Sequence, residues 1–215
     1  IPVLALKGVA LAHGVYPNPA LRLRDDCDLL VAESDVEPAV ARLQGRGYLA
    51  LDTRAAGPLN QIALRLDCPA GTHVIDLHWD LSNHPALKGL LGFPELLRQS
   101  RRLERPLEIA QGLGDRHALL HACVHYFGHH RAQFRPLQWL LDMDLLWRRM
   151  SAEHQAAFWE EARPLGLSGL LASALGACRT AFATPVADEA LERNAAIGRG
   201  QWRTALTQRR SALWE

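Results

Sequence analysis

Charge of one sign is missing from this chain: 24 Lys and Arg stand against 23 Asp and Glu, a formal net charge of +1 over 215 residues. That balance lacks the electrostatic footprint of a dedicated nucleic-acid binder, so any nucleic-acid substrate would be gripped locally. Cysteine is sparse. Cys27, Cys68, Cys123 and Cys178 are widely separated and form no C-x-x-C, which argues against a disulfide framework or zinc knuckle and predicts a reducing, cytoplasmic setting. No apolar run approaches the roughly 20 residues of a membrane span, no signal peptide is visible, and there is no internal repeat or low-complexity tract. The chain opens on Ile1 inside an apolar run, and residues are expected to precede it. What is present, 48% hydrophobic and 22% charged residues, is the composition of an ordinary globular protein long enough for a sizeable core.

Two periodicities divide the chain. The first hundred residues mix strand and helix patterns, and the remainder is helical, so an α+β fold is expected: a mixed-sheet domain over 1–102, a linker over 103–114 and an all-helical domain over 115–215, with a cleft between the two. Ile1 to Leu6 is a short apolar stretch, ended by Lys7-Gly8 before a helix over Val9 to Val15. Tyr16-Pro17-Asn18-Pro19 breaks that helix, and Leu21 to Val31 reads as a strand. A helix follows from Ser34 or Asp35 to Leu43, stopped by Gly45 and Gly47. Gln61 to Asp67 and Val74 to Leu81 alternate around Cys68-Pro69-Ala70-Gly71, the pattern of a hairpin. In its second strand Asp76, His78 and Asp80 share one face, and Ile75, Leu77, Trp79 and Leu81 share the other. Further on, helices are expected over Asp115 to Phe127, Leu137 to Arg149, from Ser151, over Leu167 to Ala183 and from Asp188.

The acidic strand is the anomaly. L-R-D-D-C-D-L-L-V, Leu23 to Val31, carries three aspartates where a buried strand tolerates few, since each buried carboxylate costs several kcal/mol unless paired. Asp26 and Asp28 are expected to leave one strand face about 6 to 7 Å apart. Carboxylates so placed repel and raise each other's pKa unless a cation lies between them, and a hard divalent ion, Mg²⁺ or Mn²⁺, satisfies oxygen ligands. Asp76 on another strand offers a third oxygen. Such a group serves metal-assisted phosphoryl or nucleotidyl transfer; the competing reading is a solvated strand end. Lys7-Gly8, between a strand and a helix start, adds a place where phosphate can approach backbone N–H groups.

The runs I-P-V-L-A-L-K-G, Y-P-N-P-A-L-R, D-D-C-D-L-L-V and V-I-D-L-H-W resemble the uncharacterised nucleotidyltransferase family of the polymerase-beta-type superfamily. The later H-A-L-L-H-A-C-V-H-Y-F-G-H-H and L-Q-W-L-L-D extend the resemblance over roughly residues 1–150. It implies a mixed-sheet nucleotidyltransferase-type domain with Gly8 in the phosphate loop, Asp26 and Asp28 on the metal ions and Asp76 as the third carboxylate. It also implies a nucleoside triphosphate substrate, with ATP the first choice, and an acceptor that is a small molecule, a protein or an RNA. Gly8-Val9 departs from the superfamily's usual Gly-Ser or Gly-Gly and removes a hydroxyl from that loop.

Other residues are expected around this centre. Lys7, Arg24 and His78 suit phosphate or a metal-bound carboxylate, although Arg22 and Arg24 read equally as strand-edge charge. His117, His121, His125 and His129 repeat every four residues along one helix; the stripe reads as packed side chains, as a polar wall with His125 and His129 contacting substrate, or as a zinc site lacking an acidic ligand. Trp139, Trp147 and Trp159 read as core, and the basic run Arg98 to Arg105 as a solvated face. Three functions are in competition. One is a magnesium-dependent nucleotidyltransferase acting away from membranes, the second is a non-catalytic module that keeps the fold and binds a protein, and the third is a zinc hydrolase built on the histidine stripe.

Overall fold

Alternation of apolar and polar residues in Gln61–Cys68 (β4) and Gly71–His78 (β5) makes the antiparallel hairpin expected of it. In this computed structural model, which describes residues 1–51, 59–69, 71–84, 87–103, 110–128 and 137–211, that hairpin is the longest part of a mixed sheet. The other strands are Leu4–Ala5 (β1), Cys27–Leu30 (β2), Leu49–Ala50 (β3), Arg101–Arg102 (β6) and Gln111–Gly112 (β7). The seven strands run in the order β3-β4-β5-β2-β1-β7-β6. β2 lies parallel to β5 and antiparallel to β1, which is parallel to β7. The protein is thus an α+β fold with a mixed sheet in its N-terminal part and helices in its C-terminal part.

The sheet has two unlike faces. Leu29, Ile62, Leu64 and Leu77 pack with Val31 and with Ala39, Val36 and Val40 of the helix Val36–Gln44 (α2), forming the core. Period-two alternation then sends Asp28, Asp76 and His78 to the opposite face. The hydrophobic residues drive the sheet together, and the same alternation segregates the acids.

The helices are Lys7–Ala12 (α1), α2, Phe93–Arg98 (α3), Asp115–Gly128 (α4), Leu137–Arg149 (α5), Ala152–Ala162 (α6), Ser168–Phe182 (α7) and Asp188–Ser211 (α8). Two compact units result, one of residues 1–83 and 88–114, the other of residues 84–87 and 115–215. β7 is a sheet strand that lies inside the stretch read from sequence as a linker. In the helical unit Leu119, Cys123, Met143, Phe158, Leu171 and Leu175 are fully buried. Trp147 and Trp159 join that core edge to face, as expected, with ring centroids 6.0 Å apart. Ser151 accepts a hydrogen bond from the His154 amide and caps α6. Arg148 seals the end of α7 by donating to the Phe182 and Ala183 carbonyls while its guanidinium grips the buried Asp144.

Two elements differ from the sequence expectation. The strand read over Leu21 to Val31 contracts to Cys27–Leu30, because Asn18 caps a 3₁₀ turn over Pro19–Leu21 through the Ala20 amide and takes those residues out of extended pairing. The first helix starts at Lys7, two residues earlier than expected, and ends at Ala12. All four cysteines are free, and among the described residues no helix is long and apolar enough to cross a membrane.

Candidate active site

Parallel pairing of β2 with β5 sets Cys27 opposite Ile75, Asp28 opposite Asp76, Leu29 opposite Leu77 and Leu30 opposite His78. Neighbouring strands lie about 4.8 Å apart, so Asp28 and Asp76 stand side by side on one face. One ligand atom from each of Asp28, Asp76 and His78 falls within 4.8 Å of the others, a group able to hold a metal ion.

Asp28 is the buried anchor. Its Oδ1 accepts from Lys7 Nζ at 2.6 Å and from His78 Nε2 at 2.8 Å. Burial pushes this carboxyl up, but the His78 hydrogen bond and the Lys7 ammonium outweigh it and hold Asp28 well below the usual carboxylate range. Lys7 reaches Asp28 from a left-handed backbone, φ 42°, a conformation that costs a non-glycine residue about 1 kcal/mol or more. Asp76 is half-buried, and its Oδ2 accepts from Gln61 Nε2 at 3.1 Å. Burial and then the Asp28 charge raise its pKa.

Asp26 sits one residue before β2, outside the strand, and is exposed. It still feels the centre. Desolvation, then the charges of Asp28 and Asp76, raise its pKa, while Lys7 opposes them. Asp25 is exposed as well, and Cys27 turns to the other face, where burial and the neighbouring carboxylates push its thiol up to about 11 and leave it a neutral, poor nucleophile.

Each of the paired carboxylates keeps an oxygen open. Among the described residues Asp28 Oδ2 and Asp76 Oδ1 receive no hydrogen bond. Two half-engaged carboxylates with a third nearby, two of the three pushed above their ordinary range by desolvation and then by the neighbouring carboxylate charge, fit a hard divalent cation. His78 Nε2 lies 2.8 Å from Asp28 Oδ1, a pairing that fixes the orientation of that carboxylate.

The flanking residues are placed unequally. Gly8 is buried, and a Cβ there would come 3.1 Å from Arg24 Cβ, so the missing side chain lets the Arg24 segment close over the start of α1. Arg24 is exposed and donates to the Pro19 and Arg22 carbonyls; it has no acidic partner among the described residues. In the helical unit His117 and His121 are buried, and His125 is half-buried edge-on to Trp139 with ring centroids 4.5 Å apart. His129 lies outside the described residues. Sequence reasoning did not point to Gln61, which donates to Asp76, or to Asn83 and Asn60 behind it; only the hairpin register, pairing Gln61 with His78, carried a signal for the first of them.

No curated protein and no solved structure matches the chain. A family model described as an uncharacterised nucleotidyltransferase matches residues 1–183, which include the whole sheet, Lys7, all three carboxylates and most of the helical unit. With residues 1–183 of the 215 matched, the acid pair and its lysine and histidine among them, the chain belongs to the uncharacterised nucleotidyltransferase family.

Proposed function

We propose that the protein is a divalent-metal-dependent nucleotidyltransferase that moves a nucleoside monophosphate from a nucleoside triphosphate, ATP first, to an acceptor, releasing pyrophosphate. The observation that supports it most is the register of Asp28 on Asp76, with Asp26 close enough to feel both charges. Asp26, Asp28 and Asp76 would hold the metal, and Mg²⁺ or Mn²⁺ there would supply positive charge to neutralise the triphosphate for attack at the α-phosphorus.

The protein's own residues divide the remaining work. Asp28 is the poorest base of the three, because Lys7 and His78 stabilise its anion, so its task is electrostatic. Asp76, with its pKa raised, is suited to orient the acceptor and take its proton. Lys7, already in place as a counter-charge, and Arg24, without an acidic partner among the described residues, serve the triphosphate beside Gly8. The acceptor stays open among a small molecule, a protein side chain and an RNA end.

Isothermal titration with ATP and Mg²⁺ is expected to show binding that disappears in Asp26→Ala/Asp28→Ala. Unchanged binding and turnover in that double variant would refute the enzyme. The other reading, a non-catalytic protein-binding module, draws support from Gly8-Val9, which lacks a hydroxyl in the loop. Incubation of the protein and Mg²⁺ with α-labelled triphosphates and cell extract separates the two, since label transferred to any acceptor, and lost in the double variant, requires the enzyme.

A further inference from the structure

A single file of amides ends on Asp76. The Asn60 backbone N–H donates to Asn83 Oδ1 at 2.8 Å, Asn83 Nδ2 donates to Gln61 Oε1 at 2.5 Å, and Gln61 Nε2 donates to Asp76 Oδ2 at 3.1 Å. Asn60 is itself buried and fastened, its side-chain amide donating to the Ser82 carbonyl at 2.9 Å and its carbonyl accepting from the Trp79 amide.

The direction of this file follows from its far end. A backbone N–H can only donate, so the Asn83 atom facing it must be the carbonyl oxygen, and the Asn83 nitrogen must then face Gln61. Gln61 therefore accepts with its oxygen and presents N–H, never oxygen, to Asp76. The ionised carboxylate, an acceptor only, favours the same orientation, and Asn83 reinforces it by holding the Gln61 oxygen away from Asp76.

The register explains why Gln61 is the residue that reaches. In the hairpin Gln61 stands opposite His78 and Ala63 opposite Asp76, so Gln61 is a diagonal neighbour of Asp76 on the same face, beside a residue too small to interpose. Lys7 and His78 pin one oxygen of Asp28; the amide file pins one oxygen of Asp76. The open oxygens, Asp28 Oδ2 and Asp76 Oδ1, are what each clamp leaves for a cation.

We infer that Gln61, locked in its donating orientation by Asn83, is the positioning residue for Asp76 and sets the affinity of the carboxylate pair for a divalent cation. The inference rests on the proposed metal site, and it assigns to β4 and the 82–83 loop a part in that site.

Mn²⁺ binding, read by electron paramagnetic resonance of the free ion, tests it without turnover. Wild type is expected to bind Mn²⁺ and Asp76→Asn to lose it. Gln61→Met keeps the length of the side chain but no donor, and it is expected to weaken Mn²⁺ binding about 10- to 100-fold, the range for loss of a partner to a metal ligand. Asn83→Ala, one bond further away, is expected to weaken it in the same direction by less. Melting of each variant in EDTA separates positioning from folding: the losses in affinity should come with a retained cooperative transition. Wild-type affinity in both folded variants overturns the positioning role while the metal site stands. If Gln61→Met does not fold, Asn83→Ala alone decides, since unchanged affinity there removes the lock. Absence of Mn²⁺ binding by wild type overturns the metal site itself.

Discussion

Replacing Lys7 tests what its left-handed backbone is for. Lys7→Ala removes one of two donors on the buried Asp28 Oδ1 and should cost about 2 kcal/mol, the size of leaving a charged group partly unsatisfied. Lys7→Gly removes the same ammonium but relieves φ 42°, so it should be the more stable of the two by about 1 kcal/mol, the reverse of the usual helix preference for alanine. Chemical denaturation compares them directly; Lys7→Ala equal to or better than Lys7→Gly would mean the backbone is unstrained. Asp76 gives the opposite sign. Its raised pKa means that the folded protein takes up a proton there more readily than the unfolded chain, so its charge destabilises the metal-free fold at neutral pH, and the cost fades as pH falls through the folded pKa. Asp76→Asn should therefore melt higher than wild type in EDTA at pH 7, by on the order of 1 kcal/mol, with the gap closing in acid, while losing any stabilisation by Mg²⁺. Asp28 runs the other way: its depressed pKa stabilises the fold above the unfolded value of about 3.9, and that contribution is lost as pH falls below it.

Among the elements, α7 and α8 touch backbone to backbone. A Cβ on Gly169 would lie 2.8 Å from Gly198 Cα, and one on Gly198 would press still closer on the Gly169 backbone. Backbone cannot rotate aside, so Gly198→Ala should cost about 3 kcal/mol of overpacking and overwhelm the roughly 1 kcal/mol that alanine gains in a helix. Gly176 in the middle of α7 is the internal control. Nothing lies within 4 Å of a Cβ built there, so Gly176→Ala should raise the melting temperature where Gly198→Ala lowers it. The element scale also shows where periodicity was sufficient. The helix Leu137–Arg149 and the hairpin follow from spacing and turn residues alone. The acidic strand does not, because an Asn18 cap and Pro19 hold Pro19–Leu21 in a 3₁₀ turn and the paired strand begins only at Cys27.

For the whole molecule, every residue of the carboxylate centre belongs to the unit of residues 1–83 and 88–114. Hydrogen exchange with and without Mg²⁺ should accordingly slow amides in β2 and β5 and leave the α7 and α8 amides unchanged; protection confined to the helical unit would place the cation elsewhere. Composition and alternation were enough to determine an α+β chain, the face that Asp76 and His78 share within their own strand, and the residue types for a divalent cation, since these depend only on local period and side-chain chemistry. Tertiary structure decided the rest. Which strand lies beside which is a long-range choice, so only the sheet order could put Asp28 opposite Asp76, leave Asp26 just outside the strand and send His78 to Asp28. The amide file behind Asp76 joins a strand to a loop more than twenty residues away, and no local pattern encodes a hydrogen bond across that distance.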